Sequence, residues 1–308
     1  MAQITMDMIK ELRERTSAGV VDCKKVLAET NGDIEKAIEE LQKRGIAKAA
    51  KKQGRIAAEG KVGMCVANGG RVVALVEMNC ETDFVAKGEK FAALYNAIAG
   101  QVAGMSNPTV ESLAASPYVL DKNITVEQAV TNFTAATGEK ITLRRVERYE
   151  IKEGTGRIGT YNHDNGRICV IAEVTTKDAA VAAGDDFGAM ADDVAMHIAA
   201  MNPSYIQEKD IPAADIAKQN EIFTAQVKEE GKPEKIAPKI VEGKLAKWKK
   251  ENCLVDQIFV KDSETTVAAL LASFGDDVRV VRFVRYEVGE GIQKRVNDLA
   301  AEVAEMMK

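Results

Sequence analysis

The chain has 308 residues, 46% of them hydrophobic, which is long enough for two or three domains with sizeable cores. Its net charge of −5 disfavours nucleic acid as the main partner, and the lack of a long apolar run argues against a membrane-spanning segment. Five scattered cysteines without Cys-x-x-Cys spacing, and an N-terminus without a signal-peptide pattern, predict a cytoplasmic protein with reduced thiols.

Residues 1–55 predict a three-helix module followed by a basic linker. Asn31-Gly32 and Asp33 separate the second helix from the third, as a stop signal and an N-terminal cap. Three apolar groups have helical spacing: Met8, Ile9 and Leu12; Val20, Val21 and Leu27; and Ile34, Ala37, Ile38 and Leu41. The basic residues between Lys43 and Arg55 have no interleaved aromatic residue, so we interpret them as a solvated linker rather than a nucleic-acid arm.

Residues 56–150 predict a first α+β unit. Strand-like alternation in 62–66 and 72–76, joined by Asn68-Gly69-Gly70, indicates an antiparallel hairpin, and 91–102 has the pattern of an amphipathic helix. Residues 151–287 predict a second unit of the same kind, because eleven positions between Gly70 and Met105 recur 96 residues later.

The second unit is longer than the first. Residues 138–150 resemble 275–287 at an offset of 137, which leaves 41 additional residues in the second unit. Two apolar helical stripes joined by a turn at 230–233 predict an antiparallel helical hairpin, similar to a coiled coil, at about 213–252. Residues 288–308 predict a C-terminal helix that either packs on its own domain or binds a partner. The predicted fold class is therefore α+β, a duplicated core with antiparallel sheets.

One loop differs between the two units. Thr82-Asp83-Phe84 becomes Asp178-Ala179-Ala180, although the surrounding residues recur. A unit duplicated for its fold keeps what the fold needs in both copies, so a large ring in one loop suggests a use beyond packing. The residues alone equally allow a phenylalanine that fills a local gap in the core.

The sequence offers little for catalysis. It has no phosphate-binding glycine motif, and its two histidines lack metal-site spacing, so we expect no enzyme activity, no cofactor and no metal. His197, beside Ile198 on a predicted helix, is interpreted as a hydrogen-bonded structural residue. His163 lies in a turn before a strand, where its ring is expected to be exposed. A role in binding and the absence of any functional role are equally compatible with that position.

Taken together, these segments resemble the elongation factor Ts family, the guanine-nucleotide exchange factors of elongation factor Tu. The resemblance covers essentially the whole chain and is clearest in 12–25, which begins Leu12-Arg13-Glu14-Arg15, in Thr82-Asp83-Phe84-Val85-Ala86, and in 287–292. It implies an N-terminal ubiquitin-associated-like helical module, a duplicated α+β core, an inserted helical hairpin and a C-terminal helical module.

The resemblance also implies a mechanism that works by protein contact. Phe84 is expected to insert between Tu side chains beside the nucleotide and magnesium site, with Asp83 orienting the loop that begins at Thr82. Further partner-binding residues implied by the resemblance are Val20, Val21, Lys24, Gly138, His163 and Val260. The resemblance leaves open whether two pairs of factor and Tu join into a larger assembly.

Some positions depart from the family pattern. Val20 and Val21 stand where methionine is frequent, Thr137 where isoleucine is common, and Glu81 where many relatives have glutamine. Two other functional classes stay open. One is a ribosome-associated or RNA-binding module that uses 43–55 and the cationic end of the hairpin, and the other is an enzyme with Asp83 or His163 as its base.

Overall fold

The computed structural model describes residues 4–16, 18–151 and 154–293. Three helices form the N-terminal part: α1 (Met6–Thr16), α2 (Val20–Glu29) and α3 (Ile34–Ala50). Their small core surrounds Leu12, Cys23 and Leu27, each fully buried. The predicted cap is present, since the Asp33 carboxylate accepts a hydrogen bond from the backbone N–H of Lys36 at 3.1 Å.

The two valines at the start of α2 are exposed, and one expectation for this module is wrong. Val20 and Val21 are 46% and 79% exposed. The basic stretch is not a linker over most of its length, since α3 continues to Ala50. Arg44 illustrates why: its Nε donates to Glu40 Oε1 one helical turn earlier at 3.0 Å, which favours the helix.

Two three-stranded antiparallel sheets follow, each with the same strand order. The first contains β1 (Glu59–Ala67), β2 (Val72–Cys80) and β5 (Thr142–Glu150), and the second contains β6 (Thr155–His163), β7 (Ile168–Thr176) and β8 (Arg279–Glu287). In both sheets the pairing of the middle strand with the last shifts register at one place, after Glu77 and after Glu173. A short hairpin, β3 (Pro117–Tyr118) and β4 (Asp121–Thr125), belongs to the first unit.

Helices fill the connections between the second and third strands of each sheet. In the first unit these are α4 (Asp83–Ala86), α5 (Glu89–Ala103), α6 (Val110–Ala115) and α7 (Val126–Thr137). In the second unit they are α8 (Ala179–Ala183), α9 (Asp185–Met201), α10 (Ala213–Glu229), α11 (Ala237–Asn252) and α12 (Val267–Ala272). Residues 288–291 form a turn, and most of the C-terminal helix predicted over 288–308 falls on 294–308, which lie outside the described residues.

The core has four layers, in the order helix, sheet, sheet, helix. One face of the first sheet packs on α5 and one face of the second packs on α9, while the remaining faces meet through residues such as Leu75 and Ile171. Every residue of β2 is buried as a result, since both of its faces are covered. The strand that leads into the Thr82 loop is therefore fixed on both sides.

The inserted helices α10 and α11 run antiparallel. Lys244 binds Glu230 at 2.8 Å near the tip, and Tyr205 packs edge-on against Trp248 near the base. Each helix buries only one residue, Val227 and Val241, so the hairpin is mostly solvent-exposed. None of the helices in the described part of the chain has the length and apolar character needed to cross a membrane.

Candidate functional site

The loop that carries Phe84 begins where β2 ends. Thr82 is the N-terminal cap of α4, and its Oγ1 accepts a hydrogen bond from the N–H of Val85 at 3.4 Å. Ala86 anchors this single turn in the core, whereas Phe84 is 84% exposed. A phenylalanine that fills a core gap would be buried, so that interpretation of Phe84 is wrong.

Asp83 and Lys87 form an ion pair beside the exposed ring. Asp83 Oδ2 lies 2.6 Å from Lys87 Nζ, one helical turn away. The hydrogen bond from Lys87 holds the pKa of Asp83 below its ordinary value, so the carboxylate is ionised at neutral pH. The ion pair of Asp83 is therefore with Lys87, at the end of the same short helix. A different residue, from another part of the chain, fixes the backbone of the loop.

That residue is Glu139, which sequence reasoning missed as part of the site. Its Oε1 accepts a hydrogen bond from the hydroxyl of Thr82 at 2.6 Å. Its Oε2 accepts hydrogen bonds from the backbone N–H groups of Glu81 and Thr82 at 3.1 and 3.0 Å. Glu139 follows Gly138, which ends α7 in the left-handed conformation with φ of 76°. The available signal was its place in the duplicated segment 138–150, directly before β5.

The loop of the second unit is held in a similar way but presents no ring. Asp277, also just before the last strand of its sheet, accepts hydrogen bonds from the N–H of Lys177 and from Thr176 Oγ1. Asp178 caps α8 through the N–H of Ala180 at 2.8 Å. Both loops are therefore braced by a carboxylate, and only the first exposes a large apolar side chain.

The residues predicted in the N-terminal module and at Gly138 are all exposed. Val20 and Lys24 lie one turn apart on α2, next to Val21. The carbonyl of Gly138 accepts a hydrogen bond from Lys52 Nζ, in the segment that connects α3 to β1. Gly138 thus lies between the N-terminal module and the Thr82 loop.

His163 is exposed at the end of β6 and is stacked on Tyr161, with ring centroids 6.0 Å apart. Its Nδ1 lies 3.2 Å from the Tyr161 hydroxyl. The turn that follows His163 contacts β1, where Lys61 Nζ donates a hydrogen bond to the carbonyl oxygen of Asp164 at 3.2 Å.

Val260 lies in a loop of the second unit and is 46% exposed. Its N–H donates to His197 Nδ1 at 3.2 Å, and His197 Nε2 lies 2.9 Å from Gln257 Oε1. His197 must therefore carry its proton on Nε2, and burial lowers its pKa. The prediction of a hydrogen-bonded structural histidine is confirmed, because His197 is fully buried.

The arrangement around Phe84 is suited to contact rather than to bond chemistry. It combines a solvent-facing ring, an ionised Asp83–Lys87 pair and a braced backbone. Within the described ranges, no three His, Cys, Asp or Glu side chains are grouped as metal ligands.

Comparisons with known proteins agree on one family. The family model described as "Elongation factor TS" matches residues 81–290, which include the Phe84 loop, the last strand of the first sheet and the whole second sheet. The chain is 43% identical over 308 residues to "Elongation factor Ts" of Clostridium novyi (strain NT), with 99% of each chain covered. It is 45% identical over 307 residues to that of Symbiobacterium thermophilum, covering 98% of each, and 44% identical over 308 residues to that of Lacticaseibacillus casei (strain BL23), covering 100% of each.

The fold combines three N-terminal helices with antiparallel sheets. Together with these matches, it identifies the chain as a translation elongation factor. The chain belongs to the elongation factor Ts family.

Proposed function

We propose that this chain binds elongation factor Tu with GDP bound and accelerates GDP release through contact alone. The observation that carries the proposal is the exposure of Phe84, 84% of which faces solvent on a braced loop. Family membership supports Tu as the partner. The chain then acts as a nucleotide exchange factor and not as an enzyme.

Thermodynamic linkage supplies the driving force. If the chain binds nucleotide-free Tu more tightly than nucleotide-bound Tu, then binding of the chain must lower the affinity of Tu for GDP by the same factor. Phe84 enters beside the nucleotide and disturbs the magnesium ion that bridges its phosphates. Burying a phenylalanine ring supplies about 1.5–3 kcal/mol, and its two torsions make it inexpensive to order.

The wider contact surface includes the other predicted residues. Val20, Val21 and Lys24 present an exposed face of α2 that fits the G domain of Tu, and Gly138 and His163 extend the surface around the loop. Val260 is proposed as a contact of the second unit.

Ion pairs weigh against the alternative of an RNA-binding hairpin. The cationic part of the hairpin consists of Lys244, Lys247, Lys249 and Lys250, and the first three are paired with Glu230, Glu251 and Glu208. Their charges are partly neutralised within the protein, which reduces the attraction for phosphates.

The test measures release of fluorescent GDP from Tu at saturating concentrations of this chain. Phe84→Ala should slow release about ten- to a hundredfold, the rate equivalent of losing one buried ring. Leu120→Ala is the matched control, because Leu120 is also exposed, at 68%, but lies in the β3–β4 turn. Equal rates with wild type and Phe84→Ala would sink the proposal.

A further inference from the structure

Three consecutive residues after α7 contact two different parts of the molecule. The carbonyl oxygen of Gly138 accepts a hydrogen bond from Lys52. Lys140 Nζ donates hydrogen bonds to the carbonyl oxygens of Gln53 and Arg55 at 2.6 and 3.0 Å. Glu139, between them, holds the Thr82 loop. The segment 138–140 therefore joins the end of the N-terminal module to the loop that carries Phe84.

The contact between segment 138–140 and the start of the loop is reciprocal. The N–H of Glu81 donates to Glu139 Oε2 at 3.1 Å, while the N–H of Lys140 donates to Glu81 Oε1 at 2.6 Å. The Glu81 carboxylate also lies 3.3 Å from Arg55. Each carboxylate thus binds the backbone of the opposite segment, and this fixes the separation of the two segments.

The thiol of Cys80 adds a contact from below the loop. Its Sγ lies 3.1 Å from the carbonyl oxygen of Thr82. Burial raises the pKa of Cys80 to about 12, and the negative charge of Glu139 adds to the shift. The thiol therefore stays protonated and donates a hydrogen bond to the carbonyl oxygen of Thr82.

Glu139 is itself on a rigid element. The N–H of Gly138 donates to the carbonyl of Thr134 at 3.0 Å, and Thr134 Oγ1 accepts the N–H of Ile141 at 3.3 Å. Ile141 is buried in the core of the first unit. A carboxylate between two anchored neighbours has little freedom to follow a moving loop, so it can set the position of that loop.

We propose that Glu139 is a positioning residue for nucleotide exchange, which holds Thr82 and thereby presents Phe84 to Tu in one orientation. This inference rests on the proposed function of the Phe84 loop. An isolated helix of four residues such as α4 is unstable in water, so its order must come from contacts outside it. A loop ordered before binding avoids paying the entropy of ordering on contact with Tu.

The experiment compares four proteins: wild type, Glu139→Gln, Phe84→Ala and the double variant. Glutamine keeps the shape of Glu139 but removes its negative charge, so the hydrogen bonds to the Thr82 loop lose their charge assistance and the Thr82 hydroxyl can no longer donate to the atom at the Oε1 position if that atom becomes the amide nitrogen. Glu139→Gln should slow GDP release about tenfold, the size expected for hydrogen bonds to a charged group. In the Phe84→Ala background the same change should have no further effect, because Glu139 acts through the ring.

Asp277→Asn is the matched control, because Asp277 braces the equivalent loop of the second unit, which lacks the ring. It should lower the melting temperature about as much as Glu139→Gln and leave GDP release unchanged. Hydrogen exchange gives a second readout without Tu: the amides of Glu81 and Thr82 should exchange faster in Glu139→Gln and at the wild-type rate in Asp277→Asn.

The outcomes separate the two proposals. If Phe84→Ala slows release but Glu139→Gln does not, the positioning role is overturned and the proposed function stands. An equal slowing by Glu139→Gln in both backgrounds would also overturn it, since the effect would not pass through Phe84. If Phe84→Ala leaves release unchanged, both the proposed function and this inference fall.

Discussion

The guanidinium of Arg145 lies over the ring of Tyr286, 4.0 Å from its centroid, and Arg282 lies over Tyr149 at 3.9 Å. Arg145 and Tyr149 correspond to Arg282 and Tyr286 at the offset of 137 residues. The two sheets therefore exchange the same contact twice, as the two sides of an isologous interface do. Through this interface the second unit covers β2, the strand that leads into the Phe84 loop.

We predict that Arg282 and Tyr149 are energetically coupled. In a double-mutant cycle with Arg282→Met and Tyr149→Leu, the coupling free energy from urea unfolding should be about 0.5–2 kcal/mol, because the pair is partly shielded from water. Arg279→Met, an exposed position on the same strand, is the control and should add to Tyr149→Leu without coupling. Strictly additive effects of Arg282→Met and Tyr149→Leu would contradict a cation–π contact.

Local signals in the sequence were sufficient for the elements of the fold. The Asn68-Gly69-Gly70 turn lies between two strands because Asn68, Gly69 and Gly70 all adopt positive φ. The cap at Asp33 follows from the chemistry of one side chain and its own backbone. Such features depend on residues close in sequence, which is why the pattern alone predicts them.

The structure goes beyond the sequence pattern where distant residues decide. The spacing of Val20, Val21 and Leu27 predicts a helix, but the burial of Leu27 and the exposure of the two valines depend on how α1 and α3 pack. Glu139 could not be assigned to the site, because its partner Thr82 is 57 residues away. Phe84, in contrast, could be assigned to the site from the sequence, because it is present in one unit and absent from the other. Its exposure became known only from the structure.

Glu77 is predicted to be a large contributor to stability at neutral pH. It is fully buried and accepts hydrogen bonds from Arg144 at 2.9 Å, from Arg145 and from the N–H of Gly289 at 2.9 Å. Burial acts to raise its pKa, but the N–H of Gly289 and the two guanidinium groups outweigh it and hold the pKa below its ordinary value of 4.5. Glu77→Gln should cost about 3 kcal/mol at pH 7, measured by urea unfolding.

The pH dependence of that difference follows from the sign of the shift. Below pH 4.5 the unfolded chain binds the proton of Glu77 before the folded chain does, so the stabilisation is complete above 4.5 and declines as pH falls. The gap between wild type and Glu77→Gln should narrow in that range. Glu173→Gln, at the equivalent position with an ion pair to Arg282 at 2.7 Å, should cost less, because its side chain is partly exposed. A gap for Glu77→Gln that stays constant down to pH 3 would refute the linkage.

His197 should make stability depend on pH in a higher range. Its pKa is lowered from 6.5 by burial, so the unfolded state takes up the proton first as pH falls. The contribution of neutral His197 is complete above pH 6.5 and is lost below it, by up to about 1.4 kcal/mol per pH unit. Unfolding free energies of wild type should therefore fall more steeply between pH 6.5 and 5 than those of His197→Gln. Parallel curves for the two proteins would show that His197 does not resist protonation.

The last prediction concerns the five thiols. Burial raises the pKa of Cys80 and Cys169 to about 12, raises that of Cys253 to about 11, and raises that of Cys23 as well, while Cys65 is partly exposed. Since the thiolate is the reactive form, an aromatic disulfide reagent at pH 8 should modify one thiol rapidly in the native protein and five after denaturation. Peptide mapping should identify Cys65, and Cys65→Ser should abolish the rapid phase. Rapid modification of Cys80 in its place would mean that the contact between its thiol and Thr82 opens readily, and that the Phe84 loop is not held as the structure shows.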